Sequence, residues 1–122
     1  MAEKKKVLII DDDADFIAAT RQVIESKNFS VVTAYSGDEG LEKYNSEKPD
    51  FVLCDMMIEG TETGVRVGTE IRKNDRETPV YLVSTMGDSI SRYRKLDLLG
   101  FNGVLQKPID PDLLIETIAS VV

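Results

Sequence analysis

The sequence contains no histidine, no tryptophan and a single cysteine, Cys54, among its 122 residues. Without histidine, and with one thiol, the nitrogen- and sulfur-rich ligand sets that zinc and copper prefer cannot be assembled within the chain. Any metal it holds is expected to be a hard cation bound through oxygen, Mg²⁺ or its close substitute Mn²⁺. A lone cysteine excludes an internal disulfide framework and fits a reducing cytoplasm. Positive charge is also short: 15 Lys and Arg stand against 22 Asp and Glu, a net charge of −7. That balance argues against general nucleic-acid binding, which needs a basic face to displace counterions. Apolar residues make up 42% of the chain but come in short runs, so no membrane span is expected. The first residues (Glu3, Lys4, Lys5, Lys6) are polar and basic, unlike the apolar stretch of a secretory signal. No repeat, low-complexity tract or linker-like segment divides the chain. One domain over residues 1–122, built on a single ordinary core, is expected.

What is present is alternation. Val7-Leu8-Ile9-Ile10 reads as a strand buried on both faces, and Asp11-Asp12-Asp13 follows at once. Residues 14–27 carry Phe16, Ala19, Thr20, Val23 and Ile24 at helical spacing, with Asp13 as the cap and Lys27-Asn28 as the stop. A short β-branched strand covers 30–34. Ser36 and Glu39 then stand in the spacing of a capping box, opening a helix that should end near Glu47, ahead of Pro49. Phe51-Val52-Leu53-Cys54 is a third buried strand and runs straight into Asp55. A helix over 64–74, a strand over 80–83 ending in Ser84-Thr85, and a helix over 89–99 closed by Gly100 follow. A short strand around Val104-Leu105 meets Lys107-Pro108. The final helix has Asp110 as cap, Pro111 in its first position and Leu114, Ile118 and Val121 as apolar positions. Strict β–α alternation implies an α/β fold, a parallel sheet with helices on both faces.

The strand ends carry the chemistry. Asp11, Asp12 and Asp13 end the first, Asp55 the third, Ser84 and Thr85 the fourth, and Lys107 the fifth. In open α/β sheets that edge is where ligands bind. Two unit charges about 4 Å apart repel by roughly 4 kcal/mol at an effective dielectric near 20, so packed acids need a cation, a proton or a basic side chain. Two carboxylates plus water suit Mg²⁺. A hydroxyl and an ammonium suit phosphate oxygens. A carboxylate among them can act as nucleophile toward phosphorus.

These residues resemble the receiver domain of two-component response regulators over nearly the whole chain. The matching pieces are Asp11-Asp12 after Val7–Ile10, Pro49-Asp50 leading to Asp55, Gly64 followed by Ile71-Arg72, Pro79 through Ser84, and Lys107-Pro108. The resemblance implies a doubly wound (βα)5 flavodoxin-like three-layer sandwich with strand order 2-1-3-4-5. It makes Asp55 the phosphoacceptor. It has Asp12 bind Mg²⁺ directly, Asp11 through water and Met57 through its main-chain carbonyl. Ser84 and Lys107 then hold the phosphoryl group, Thr85 stands in its vicinity, and Lys107-Pro108 is cis. The resemblance also implies a histidine kinase or a histidine phosphotransfer protein as donor, and the chain has no histidine of its own, so the donor residue is expected on a partner. It further implies docking on the first helix and the loop after Lys107 and output to a downstream protein or fused effector, and no direct nucleic-acid or membrane binding is expected.

The chain departs from the family pattern in several places. Glu59 stands where a proline is usual, and the loop is one residue longer before Gly64. Val104 replaces the aromatic of the common ring switch, and Phe101 is out of register with it. Thr85 replaces a smaller residue. Met57 and Met86 occupy the positions that tune hydrolysis; neither can orient a water, so a long-lived phosphoryl group is expected. Structural readings are assigned to Asp13 (helix cap), Cys54 (core), Lys4–Lys6 (solubilising tail) and Arg92–Lys95 (solvated helix face). Two other functions fit parts of the pattern. An aspartate-nucleophile phosphohydrolase would use Asp11 and Asp13 but would leave Asp55 without a role. A receiver-like binding module that is never phosphorylated would not need the acids, hydroxyl and lysine together.

Overall fold

A computed structural model of the chain describes residues 4–58, 63–85 and 100–122. Strands β1 (Lys6–Ile10), β2 (Ser30–Ala34), β3 (Phe51–Asp55), β4 (Val80–Ser84) and β5 (Gly103–Gln106) form one sheet in the order β2-β1-β3-β4-β5. All four pairings are parallel. Among the described residues the helices are α1 (Ala14–Glu25), α2 (Gly37–Glu47), α3 (Thr63–Arg72) and α4 (Pro111–Val121). The expected strand order and α/β class are both observed. The expected helix over 89–99, its Arg92–Lys95 face, Glu59 and Met86 lie outside the described residues.

Because successive strand residues point to opposite faces, each strand feeds two cores. Leu8, Ile10, Val52, Cys54 and Leu82 pack with Val67 and Ile71 of α3 on one face. Val7, Ile9, Leu53, Val83 and Leu105 pack with Ile17 and Ile24 of α1 and Leu114 and Ile118 of α4 on the other. Val7 through Ile10 are wholly buried. Full burial of each such side chain stabilises the fold by about 1.5–3 kcal/mol before chain entropy is counted.

Local capping sets where the helices begin. The Asp13 carboxylate accepts the N–H groups of Asp15 and Phe16 at 3.0 and 3.2 Å. Ser36 Oγ accepts the N–H of Glu39 at 3.1 Å, while Glu39 reaches back to the N–H of Tyr35 rather than to that of the cap. Asp110 caps α4, with Pro111 in its first turn. Asn28 and Lys48 take left-handed conformations after α1 and α2.

Other expected details differ as well. α1 ends at Glu25 and its buried stripe is Ile17, Thr20 and Ile24, while Ala19 is exposed. The i, i+3, i+7 line that meets the sheet starts one residue after Phe16, which leaves Phe16 half-buried at the margin. α3 ends at Arg72 rather than at residue 74. Val121 stays 37% exposed. Val122, four residues after Ile118, packs on the core in its place.

Candidate functional site

The order of the sheet reverses at β1, whose neighbours β2 and β3 connect to opposite sides. A crevice at such a reversal opens at the carboxyl ends of the strands. Asp11 follows β1 and its N–H donates to Ala34 O at 3.0 Å, continuing the ladder for one more residue. Asp11 is completely buried there. The Asp13 N–H donates to Asp11 Oδ1 at 2.9 Å, which turns the chain into α1 and leaves Asp12 exposed. Asp55 is the last residue of β3 and is 7% exposed. One carboxylate oxygen from each of Asp11, Asp12 and Asp55 lies within 4.8 Å of the others.

Lys107 closes this cluster. Its N–H donates to Ser84 O at 2.8 Å, so the pairing of β5 with β4 places it, and its bond to Pro108 is cis. The ammonium donates to Asp55 Oδ2 at 3.2 Å. It lies 2.9 Å from Asp11 Oδ2, an ion pair without the alignment of a hydrogen bond. Ser84 ends β4 one residue beyond Val83, the register partner of Asp55, and is buried; Thr85 follows it and is exposed. The Met57 N–H donates to Asp55 Oδ1 at 3.1 Å. At Gly64 a Cβ would stand 2.1 Å from the carbonyl oxygen of Asp55, so only glycine lets α3 approach the end of β3 this closely.

Electrostatics follow from burial and charge. Burial, and then the Asp11 charge, push the Asp55 carboxyl up, against the Met57 N–H and the Lys107 ammonium. Burial works against the charge of Lys107, but Asp11 and Asp55 outweigh it and hold its pKa above the ordinary value. Burial also pushes the Cys54 thiol up, which keeps it inert core. Three oxygen donors with one cation among them are a donor set that fits a hard divalent ion.

The family model of the response regulator receiver domain matches residues 7–119. The chain belongs to that family. The receiver domain is similar to the probable transcriptional regulator ycf27 of Guillardia theta, 36% identical over 112 residues, covering 88% of this chain and 41% of that protein. It is 33% identical to the transcriptional regulatory protein CseB of Streptomyces avermitilis over 121 residues, 99% of this chain and 50% of that one. The chain therefore spans no more than half the length of these curated relatives. Among solved structures it is similar to a putative response regulator from Chloroflexus aurantiacus, with 26% identity, a TM-score of 0.87 and 97% of each chain covered. No described helix of the receiver domain is long and apolar enough to cross a membrane.

Asp11, Asp12, Asp55 and Lys107 thus come together, Ser84 lies on the neighbouring strand end, and Asp13 is a cap. One neighbour escaped the sequence reading. The Lys107 ammonium stands over the Phe16 ring, 4.2 Å from its centroid. Phe16 had the spacing of a core residue; the available signal was its place three residues after the capping Asp13, in the first turn beside the acids.

Proposed function

We propose that this receiver domain is the phosphoacceptor switch of a two-component phosphorelay. A partner histidine kinase or histidine phosphotransfer protein presents phosphohistidine to Asp55. The Asp55 carboxylate oxygen bonds to phosphorus as the phosphorus–nitrogen bond breaks, and the imidazole leaves with that electron pair and takes up a proton. The observation that carries the reading is a nearly buried carboxylate, Asp55, held against a second acid and the Lys107 ammonium at 3.2 Å.

Asp12, Asp55 and the Met57 main-chain carbonyl would hold Mg²⁺ or Mn²⁺, with Asp11 acting through water. When bound, the cation neutralises phosphoryl oxygens facing the acids. Lys107 pairs with the transferred group, Ser84 hydrogen-bonds it, and Thr85 borders it. The new charge and acceptor oxygens shift the balance between two arrangements of the strand ends, which a downstream protein or a fused effector reads. Apart from accepting the group from a donor and losing it slowly to water, the domain turns over no substrate. It works in the cytoplasm without direct contact with nucleic acid or membrane. An apolar groove of about 200 Å³, lined by Phe16, Ala19, Thr20, Pro108, Ile109 and Leu114 among others, supports docking of the phosphohistidine partner on α1 and the loop after Lys107. A phosphohydrolase acting through Asp11 would leave the Asp55–Lys107 pair unexplained.

Intact-mass measurement after incubation with acetyl phosphate tests the reading. One phosphoryl group should be gained with Mg²⁺, far less without it, and none by Asp55→Ala. A gain that survives Asp55→Ala would overturn it.

A further inference from the structure

We infer that Phe16 is a positioning residue for phosphoryl transfer, holding the Lys107 ammonium against Asp11 and Asp55 through the face of its ring. The inference rests on the phosphoacceptor reading of Asp55 and assigns that reaction a residue on α1. A lysine ammonium sits on a flexible four-carbon stem and is strongly hydrated, so two carboxylates alone leave it room to swing. Here a third contact restrains it: the ammonium lies 2.9 Å from Asp11 Oδ2, 3.2 Å from Asp55 Oδ2 and 4.2 Å from the centre of the Phe16 ring. A cation at that distance over a ring face is attracted by the negative face of the π-system. The Phe16 N–H donates to the Asp13 carboxylate at 3.2 Å, which fixes the backbone that carries the ring in the first turn of α1. Asp11, Asp13, Phe16 and Lys107 are therefore linked in one chain of contacts from the cap of α1 to the acid cluster.

Phe16 has a second side to it. Its ring lines the groove between α1 and the segment that begins with Pro108, the residue joined to Lys107. A partner seated in that groove would touch the same ring that touches the ammonium. Leucine would preserve the apolar groove wall and remove the ring; tyrosine would preserve both. The two substitutions therefore separate packing from cation–π attraction.

The experiment compares wild type, Phe16→Leu and Phe16→Tyr, each checked for folding by circular dichroism, in phosphorylation by acetyl phosphate with Mg²⁺. Phe16→Leu should react about two- to fivefold more slowly, the range expected from losing one partly buried cation–π contact. Phe16→Tyr should react at the wild-type rate. The ε-methylene protons of Lys107 should resonate upfield of those of the other lysines in wild type and Phe16→Tyr, and rejoin them in Phe16→Leu. Equal rates for wild type and Phe16→Leu, or equal slowing by both variants, would overturn the inference. So would a wild-type Lys107 signal without an upfield shift, a readout that needs no variant to fold. If wild type itself gains no phosphoryl group, the phosphoacceptor reading fails instead, and the proton shift alone still decides whether the ring holds the ammonium.

Discussion

Replacing Lys107 with methionine removes the ammonium that stands between two carboxylates while keeping most of the apolar stem. The side chains of Asp11 and Asp55 are 1% and 9% exposed, so water screens them poorly once the cation is gone. With their oxygens within 4.8 Å, the mutual repulsion is about 3.5 kcal/mol at an effective dielectric near 20. Breaking a buried ion pair from one side generally costs about 3–5 kcal/mol, which agrees. We expect Lys107→Met to lose about 3 kcal/mol of stability at pH 7 in chelator, a lowering of the urea midpoint by roughly 1–2 M. Adding Asp55→Asn to that variant should restore most of the loss, because one of the two opposed charges is then gone. Millimolar Mg²⁺ should narrow the gap between Lys107→Met and wild type, since a cation that binds only the folded state stabilises it. The pH dependence has a definite sign. The folded Asp55 carboxyl is already raised above its ordinary value of 3.8, by burial first and the Asp11 charge second. A raised carboxyl contributes stability that is fully present below pH 3.8 and is lost as pH climbs through the folded value. Lys107 holds that value down, so its removal moves the loss to higher pH and deepens it. The deficit of Lys107→Met should therefore close as pH falls toward 4 and reopen toward 7. A deficit below about 1 kcal/mol in chelator, or a double variant as unstable as Lys107→Met, would refute this account.

Three further outcomes are expected. Arg72, 9% exposed, donates to the carbonyls of Gly100, Asp75 and Thr78 at 2.8, 3.0 and 2.8 Å and to Asn102 Oδ1 at 2.8 Å. Arg72→Ala should cost about 3–4 kcal/mol in urea unfolding and Arg72→Lys more than half as much, because lysine cannot reproduce the planar fork. Gly64→Ala drives a Cβ into the Asp55 carbonyl and should depress both the melting temperature and the phosphorylation rate. Gly68→Ala meets instead the Phe101 ring, a side chain outside the acid cluster, and should depress the melting temperature. Finally, Met57→Asn combined with Met86→Glu should shorten the lifetime of the phosphoryl group in Mg²⁺ buffer, measured by loss of the phosphorylated mass, because polar side chains can orient an attacking water.

Much of the fold could be read along the chain because its signals are local. Four apolar residues before Asp11, the Ser36 and Asp110 caps, and Pro111 in a first turn act within a few residues of themselves, so strand ends and helix starts were predictable to within a residue or two. The acids, hydroxyl and lysine were legible for the same reason: each stands at or just past the carboxyl end of a strand. Periodicity was less informative where a helix meets the sheet obliquely. Ile17 rather than Ala19 faces the core, and Val122 rather than Val121, because the angle of packing selects which line along the helix is covered. The sequence by itself therefore determined the class of fold, the residue types at each strand end and the exclusion of soft-metal chemistry. Only the tertiary structure decided that Lys107 reaches both Asp11 and Asp55 and rests on Phe16, and that Arg72 ties α3 to the entrance of β5. Those contacts join residues tens of positions apart, and no local propensity encodes them; they exist because parallel strands with right-handed crossovers bring distant chain segments to one edge.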